Sequence, residues 1–522
     1  MQKHVLFEKF GVKVGVIALA SLALGAVFQG ILNVGDFWRG MFAATLLIFL
    51  CGVAMYLVWR AAGAQRVLAW MMLVAFFLRL ALGVFLAWGL PLFGYDEAPQ
   101  QAGFVYYDPF LREGNAWRLA QSDKPLMDGF RDTYLGDQYG GLFTMSAFIY
   151  RYISPDAFRP VLITILSASA SALSLPFLVA ALRRKFDSKT ALLAGWVMAF
   201  YPESILLGAS QMREPFFILF FSMMLWAGVQ WVDRSKSKLA IIVFALSAFG
   251  LFMFSFRVAV PIIGVVILWI WVEWSPKIKN LWLKNAIWFF VALGLIANIW
   301  FTFDWVSEAL RWDTYVTISR SGMLQAQLER LPDWLSYPFV LVYGLFQPVL
   351  PAAIAAPAPW IWRSLAIFRS VGWYVLLPLL VYASVRVWRL APSRSRRLII
   401  LIGFVVWAWI IISSARAGGD QWDNPRYRTI FLPLMAALSA WGINFAQQTK
   451  DRWLWRGLLV EGIFLGFFTQ WYISRYYSFL PRFPLEVMII VIVVLSAGVI
   501  VSGWLWDRKY PHHASTDNSK SI

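Results

Sequence analysis

Acidic and basic side chains are concentrated in two segments that lie between apolar stretches of this 522-residue chain. Residues 94–140 carry Asp96, Glu97 and Asp108 among other charges, and residues 416–428 contain three arginines and two aspartates. A carboxylate can act as a general base toward a hydroxyl group, and a guanidinium can hold a phosphate. The two segments together therefore predict acid–base chemistry beside a phosphate-binding surface.

Histidine is missing from both segments. The three histidines are His4, His512 and His513, close to the chain ends. A Ser-His or Cys-His nucleophile is therefore excluded there, and a zinc site would have carboxylate ligands alone, which is rare. The single cysteine, Cys51, lies in an apolar run, so no intramolecular disulfide can form. Acid–base chemistry is left to Asp and Glu.

Further charged side chains flank shorter turns. Glu203, Arg213 and Glu214 are expected at the ends of adjacent apolar runs, and Arg257 stands between two such runs. An unpaired charge there is costly unless it meets an anion or a carboxylate. Basic groups beside apolar grooves suit a ligand with a phosphate head and a long hydrocarbon tail. For any single arginine, snorkelling to lipid headgroups is an equal alternative.

The elements that position these residues are predicted to be membrane-spanning helices. The chain is 60% apolar and only 14% charged, and long apolar runs recur along it. A run of about twenty residues crosses the hydrocarbon core as a helix, because a backbone in lipid must satisfy its own hydrogen bonds. We expect an all-α, polytopic integral membrane protein with about fourteen transmembrane helices. The net charge of +18 lies mainly in short clusters between the runs, a pattern of cytoplasmic loops rather than of nucleic-acid binding.

The positive-inside rule gives the expected orientation. It places both termini in the cytoplasm and the segments 94–140 and 416–428 on the opposite side, with 139–153 as a helix at the outer interface. The stretch 336–359 contains five prolines and is predicted to be re-entrant or interfacial. The predicted divisions are two extra N-terminal helices (1–66), a central module (67–335), C-terminal helices (336–506) and a polar cytoplasmic tail (507–522).

Four motifs carry a resemblance to a known superfamily. In order they read YYDPFLREGNAWRLAQ, QYGGLFTMSAFIYRY, YPES and MREP, within roughly residues 67–275. This order resembles the polytopic glycosyltransferases of the GT-C superfamily, which include protein O-mannosyltransferases and lipid A aminoarabinose transferases. The resemblance implies transfer of a sugar, with inversion, from a polyprenyl-phosphate-linked donor. The acceptor would be a lipid, glycan or protein on the non-cytoplasmic side of a bacterial inner membrane.

The resemblance also implies the catalytic base. In such enzymes it is an acidic residue of the first external loop, followed by an A-x-x-L-A pattern. The positions that match this pattern are Asp108, Ala116, Leu119 and Ala120. The neighbouring pair Asp96 and Glu97 matches an alternative acidic pair, so three carboxylates are catalytic candidates. The chain departs from the family in having two additional helices ahead of the module, and in Arg112 at the place of an expected aromatic residue.

The remaining roles follow from the same resemblance. The residues expected to bind the donor phosphate are Arg213, Arg257, Arg416, Arg426 and Arg428. The residues expected to support them are Glu203, Glu214, Arg112 and Tyr107. No cofactor is expected, although Asp420 and Asp423 are candidate ligands for a divalent metal.

Three alternatives remain open. For Asp108 the non-catalytic alternative is a helix N-cap, because Asp-Pro is typical of a helix start. For the whole chain, a surface-polysaccharide polymerase or ligase combines similar features. A lipid-linked-sugar flippase or transporter is the third alternative, but the candidate polar residues are predicted at one membrane face rather than at the midplane.

Overall fold

The computed structural model describes residues 2–131, 140–233, 237–282, 284–290, 293, 294, 296, 331–391, 393–477 and 480–510. Within these ranges there is no strand, and nine helices are long and apolar enough to cross a membrane, or up to eleven if each of two bent pairs is one span. The predicted all-α, polytopic membrane architecture is therefore confirmed. The predicted total number of spans stays a prediction, and the span predicted near 286–303 and the last part of the tail lie largely outside the described residues.

The bounded helices are as follows. The first twelve are α1 (Gln2–Leu32), α2 (Phe37–Ala61), α3 (Arg66–Phe93), α4 (Ala98–Gln101), α5 (Tyr107–Ala120), α6 (Gly141–Tyr152), α7 (Val161–Leu182), α8 (Ser188–Phe200), α9 (Pro202–Ala209), α10 (Glu214–Asp233), α11 (Lys238–Phe254) and α12 (Phe256–Trp274). The later eight are α13 (Asp333–Leu345), α14 (Leu350–Ala355), α15 (Trp360–Arg386), α16 (Arg394–Ala417), α17 (Asp423–Thr429), α18 (Leu432–Thr449), α19 (Trp453–Tyr476) and α20 (Leu485–Lys509).

The chain divides into two compact units. The first unit consists of Met1–Ala181 and Gly195–Ile270, and the second of Leu182–Ala194 and Trp271–Ile522. The acidic segment after α3 therefore belongs to the first unit, and the arginine-rich turn after α16 belongs to the second.

Short polar side chains define several helix starts. The Asp36 carboxylate accepts a hydrogen bond from the Arg39 amide at 2.8 Å and caps α2. Ser237 and Ser393 cap α11 and α16 in the same way, with hydroxyl-to-amide distances of 3.3 and 3.1 Å. Each cap satisfies an amide that the first helical turn leaves without an intrahelical partner.

The span predicted near 191–208 is broken into α8 and α9, which meet at an angle of 52° before Pro202. A proline has no N–H, so the carbonyl of Met198, four residues earlier, loses its helical partner. Arg79 of α3, only 1% exposed, donates to this carbonyl and to that of Ala199, both at 3.1 Å. Its guanidinium also donates to the Ser204 hydroxyl at 2.9 Å. A buried arginine from another helix thus completes the hydrogen bonding at the bend.

The second unit contains comparable interruptions. The proline-rich stretch 336–359 forms the end of α13 and all of α14, with a turn at 346–349 between them. The segment predicted as an external turn, 416–428, is largely helical, because α16 runs to Ala417 and α17 begins at Asp423. The tail predicted from 507 also starts later, since α20 continues to Lys509.

Candidate functional site

Two turns that the positive-inside rule places on the same side meet at one end of the first unit. Arg159, in the turn between α6 and α7, donates to the carbonyls of Val34 and Asp36 at 3.0 and 2.9 Å, in the turn between α1 and α2. Arg159 also pairs with Asp156 at 2.8 Å, and Asp156 accepts from the Asp36 amide at 3.1 Å. The hydrogen bond from Arg159 lowers the pKa of Asp156 to about 2.

The first long loop contains an ordered amphipathic helix, α5. Its buried side chains recur at helical spacing and include Pro109, Arg112, Glu113, Ala116 and Leu119. The opposite face is exposed and carries Tyr107 and Asp108. The buried face therefore includes two charged residues, which must find partners in the interior.

Arg112 and Glu113 are those partners. Their side chains form an ion pair at 3.0 Å and are 3% and 0% exposed. The Tyr150 hydroxyl of α6 donates to the second carboxylate oxygen of Glu113 at 2.8 Å. The Arg112 guanidinium donates to the Gln211 carbonyl in the turn between α9 and α10. The cluster therefore joins α5 to α6 and to the turn that precedes Arg213.

Burial sets the electrostatics of this cluster. Loss of solvation raises the pKa of the Glu113 carboxyl, although Arg112 and Tyr150 oppose that change. Burial and the neighbouring Glu113 also raise the pKa of the Tyr150 hydroxyl well above its ordinary value. Tyr150 consequently remains a hydrogen-bond donor throughout the physiological range, and its contact fixes the orientation of the Glu113 carboxyl.

The C-terminal end of α5 is held by one arginine of α6. Arg151 donates to the carbonyls of Leu119 at 2.6 Å, Ala120 at 3.1 Å, Ser122 at 2.8 Å and Lys124 at 2.9 Å. These include carbonyls that a helix end leaves without intrahelical partners. Together with the Arg112 cluster, this contact makes α5 a fixed platform rather than a loose connector.

A third turn reaches the same end of the first unit. Gly141, the first residue of α6, has no room for a side chain because the Met253 carbonyl lies against it. Met253 is in the last turn of α11, and Arg257 follows at the start of α12. The acidic loop, the turn before Arg213 and the turn before Arg257 therefore converge, as their predicted location on one side requires.

The catalytic candidates lie on exposed parts of this assembly. Asp96, Glu97 and Asp108 are all exposed, and Glu97 accepts a hydrogen bond from Gln100 at 3.2 Å. The alternative that Asp108 is a helix cap is wrong, because the N-cap of α5 is Tyr106 and Asp108 lies within the first helical turn. A carboxylate at that position is still favoured by the helix dipole. Residues 132–139 of the predicted loop lie outside the described residues.

The other candidates of the first unit differ in burial. Arg213 and Arg257 are half-buried, whereas Glu203 and Glu214 are buried with exposures of 0% and 2%. Glu203 lies in the first turn of α9, and Glu214 is the first residue of α10. The two arginines remain within reach of solvent, and the two glutamates form part of the frame around them.

In the second unit, the candidate metal ligands are engaged in local contacts. Asp420 accepts hydrogen bonds from the amides of Trp422 and Asp423, at 2.6 and 2.8 Å, and so shapes the turn before α17. Asp423 pairs with Arg426 at 3.3 Å. Across the described ranges of the chain, no group of three or more His, Cys, Asp or Glu side chains converges.

The arginines of this turn lie against aromatic rings. Arg428 is fully buried, donates to the Gln347 carbonyl at 2.8 Å and lies 3.3 Å from the ring centre of Trp373. Arg416 and Arg426 lie 5.1 and 5.6 Å from the ring centre of Tyr427. Arg428 thus holds the turn after α13 in place, while Arg416 remains half-buried beside the chain segment it was predicted to serve.

Several residues of these clusters were not singled out from the sequence. In the first unit they are Arg79, Glu113, Tyr150, Arg151 and Arg159. In the second unit they are Arg369 and Trp422, whose guanidinium and ring centre are 4.1 Å apart. For Glu113 a signal was present, because positions 109, 112, 113, 116 and 119 share one helical face. For the other residues the partners lie in distant segments.

Comparison of the chain with models of known protein families gives no match, and comparison with curated proteins gives none either. The resemblance to GT-C glycosyltransferases accordingly depends on the four motifs of the sequence. The chemistry of the site has to be argued from the residues themselves.

Proposed function

We propose that the chain is a membrane glycosyltransferase that transfers a sugar from a polyprenyl-phosphate-linked donor to a lipid, glycan or protein acceptor. In this proposal it is a GT-C-like protein of about fourteen spans in a bacterial inner membrane, with cytoplasmic termini and a periplasmic active site. One observation carries the proposal. A fixed helix bearing the exposed Asp108 shares one end of the first unit with the turns that bear Arg213 and Arg257.

Asp108 is the proposed general base. Its carboxylate accepts the proton of the acceptor hydroxyl while that oxygen bonds to the anomeric carbon. The bond between the anomeric carbon and the phosphate oxygen breaks, and polyprenyl phosphate leaves with the electron pair. The exposed ring of Tyr107, next to Asp108, offers an apolar face to the sugar. Asp96 and Glu97 are the alternative bases, since they are exposed in the same loop.

Arginines are the proposed partners of the phosphate. Negative charge builds up on the phosphate as the bond breaks, and guanidinium groups already in place stabilise it. Arg213 and Arg257 are half-buried at the converging end of the first unit, which suits this role. Arg416 and Arg426 are proposed as further contacts. Arg428 is proposed to act on the turn after α13, because its side chain is fully buried.

This mechanism requires a base and arginines and runs without a bound metal. The alternative, a divalent metal held by Asp420 and Asp423, remains part of the proposal as a second hypothesis. It predicts loss of transfer in the presence of a chelator, whereas the first hypothesis predicts unchanged transfer.

The experiment compares Asp108→Asn with Asp128→Asn in the full-length protein, reconstituted in lipid. Asp128 is a carboxylate of the same loop that pairs with Arg131 at 3.1 Å, so it provides a matched control. The donors are polyprenyl-phosphate-linked mannose, glucose and aminoarabinose, and transfer to envelope lipids, glycans and proteins is measured. Asp108→Asn should lower transfer by about 10²- to 10⁴-fold while donor binding is kept.

Two results would contradict this assignment. Full activity of Asp108→Asn together with loss in Asp96→Asn would move the base to Asp96. Absence of transfer by the unmodified protein with all three donors and all acceptor classes would reject the glycosyltransferase proposal for these sugars.

A further inference from the structure

A second feature, in the second unit, lies apart from the residues of the proposed reaction. A cavity of about 630 Å³ lies between α15, α19 and α20. Its walls are largely apolar and include Leu377, Val381 and Val385 of α15 and Phe464 of α19. Val381 and Val385 are 45% and 61% exposed, so the cavity is a groove that opens along α15.

The length of the groove matches one leaflet of a bilayer. On α19 its walls run from Trp453 to Phe464, and on α15 from Tyr374 to Arg386. At the rise of an α-helix these stretches are about 16 and 18 Å long. Half of a typical hydrocarbon core is about 15 Å. The groove therefore has the depth of one lipid chain rather than that of a compact soluble ligand.

One end of the groove is strongly basic. The three helix ends that meet there carry seven basic residues against two acidic ones. The basic residues are Arg386, Arg389, Lys450, Arg452, Arg456, Arg508 and Lys509, and the acidic ones are Asp451 and Asp507. Arg389 and Arg452 are exposed. This excess of positive charge complements an anionic headgroup.

Two ion pairs fix the helix ends around the groove. Arg386 at the end of α15 pairs with Asp451, just ahead of α19, at 2.7 Å. Arg456 in the first turns of α19 pairs with Asp507 near the end of α20 at 2.6 Å. The walls are therefore held apart by contacts that do not involve a ligand. A ligand binds more tightly when its site needs no reorganisation.

The same end carries exposed indole rings. Trp388, Trp455, Trp504 and Trp506 are each more than half exposed. Tryptophan together with Arg and Lys is typical of the headgroup level of a membrane. The basic end of the groove therefore lies at that level, and the apolar walls extend from it into the hydrocarbon region.

We propose that this groove binds an anionic glycerophospholipid, with its phosphate at Arg389 and Arg452 and one acyl chain between α15, α19 and α20. By the positive-inside rule this end is cytoplasmic, so the lipid comes from the leaflet opposite to the proposed transferase site. The proposal does not depend on the proposed function. It concerns a different face of the protein, and its test measures lipid binding rather than transfer.

The test fills the groove without changing charge. Gly457 lines the groove, and a Cβ added there meets no atom within 4 Å. Gly462 lies on the same helix, is exposed, is not among the groove residues and is equally open at its Cβ. Native mass spectrometry of the full-length protein with phosphatidylglycerol should therefore show strongly reduced retention for Gly457→Phe. Gly462→Phe should retain the lipid like the unmodified protein.

A second pair of measurements tests the headgroup. Arg389→Gln and Arg452→Gln change exposed side chains, so folding is preserved. Each should weaken phosphatidylglycerol binding roughly fivefold, from about 1 kcal/mol for each charge near a lipid surface, and leave phosphatidylcholine binding nearly unchanged. Equal retention of both lipids by the unmodified protein would overturn the proposal. So would unchanged retention in Gly457→Phe.

A third variant tests the path of the chain. Glu461 is the single acidic residue among the described residues that line the groove, and it lies eight residues beyond Trp453. A carboxyl group beside hydrocarbon is unfavourable. Glu461→Leu is therefore expected to increase retention of phosphatidylglycerol. A decrease would show that the chain does not pass along α19 and would overturn the proposed binding mode.

Discussion

The guanidinium of Arg79 lies 3.1 Å from the carbonyl oxygen of Met198, the helix carbonyl that Pro202 leaves without an amide. The bend between α8 and α9 therefore belongs to the packing of three helices, because α3 supplies the donor. It turns the chain into the segment that leads to Arg213.

Removing this donor should destabilise the protein. Arg79→Met leaves buried carbonyls without a partner, which costs about 3 kcal/mol in the free energy of unfolding. Adding Pro202→Ala restores an amide for Met198, so the double variant should lose about 1 kcal/mol less than the sum of the two single variants. Thermal unfolding followed with a thiol-reactive dye at the buried Cys51 measures this difference. Strict additivity would argue against the pairing.

Tyr150→Phe tests the cluster that fixes α5. The change removes only the hydroxyl that donates to Glu113 at 2.8 Å, and the ring remains packed. The expected loss is about 1.5–3 kcal/mol in the free energy of unfolding, the usual contribution of a hydrogen bond to a charged group. Proteolysis of the loop that contains α5 should accelerate in parallel. Tyr152→Phe, at an exposed position of the same helix, is the control and should change neither quantity.

Asp156 should make stability dependent on acid pH. Its pKa in the folded protein is lowered to about 2 by Arg159, below the ordinary value of 3.8. The folded state therefore favours the carboxylate, and this stabilisation is complete above the ordinary pKa and is lost as the pH falls through about 2. Asp156→Asn should be less stable than the unmodified protein at pH 6. The difference should disappear near pH 2, and a difference that stays constant with pH would contradict the ion pair.

Two glycines should respond oppositely to the same substitution. Gly141→Ala places a methyl group against the Met253 carbonyl, and the expected cost is about 1–3 kcal/mol. Gly114→Ala, in the middle of α5, meets nothing within 4 Å and should stabilise the helix by up to about 1 kcal/mol. Melting temperatures of the two purified variants decide the matter. Tolerance of alanine at 141 would mean that α6 and α11 are not in close contact.

Local patterns in the sequence predicted part of this arrangement. Apolar runs predicted the helices, and the helical spacing of Pro109, Glu113 and Ala116 was enough to predict a buried face on α5. The interior partners were not predictable in the same way. Arg79 stands inside an apolar run and its acceptors lie 119 and 120 positions later. One sequence without relatives contains no signal for such distant pairs.

The helix breaks were only partly predictable. Pro202 is equally compatible with a first helical position after a break and with a kink inside one span. Asp108 illustrates the same ambiguity, because an Asp-Pro pair suits both a cap and the first turn, and the cap is Tyr106. The grouping of turns at one end of the first unit followed from the distribution of basic residues. The side-chain contacts within that group required coordinates.

The tie from Arg159 to the turn between α1 and α2 has a practical consequence for shortened forms of the protein. Deleting residues 1–66 would remove the carbonyls of Val34 and Asp36 and leave Arg159 with fewer acceptors beside the start of α7. The first two helices are thus a buttress for the segment that follows α6. A truncated protein that begins at α3 would have to rebuild that support before its activity could be compared with that of the whole chain.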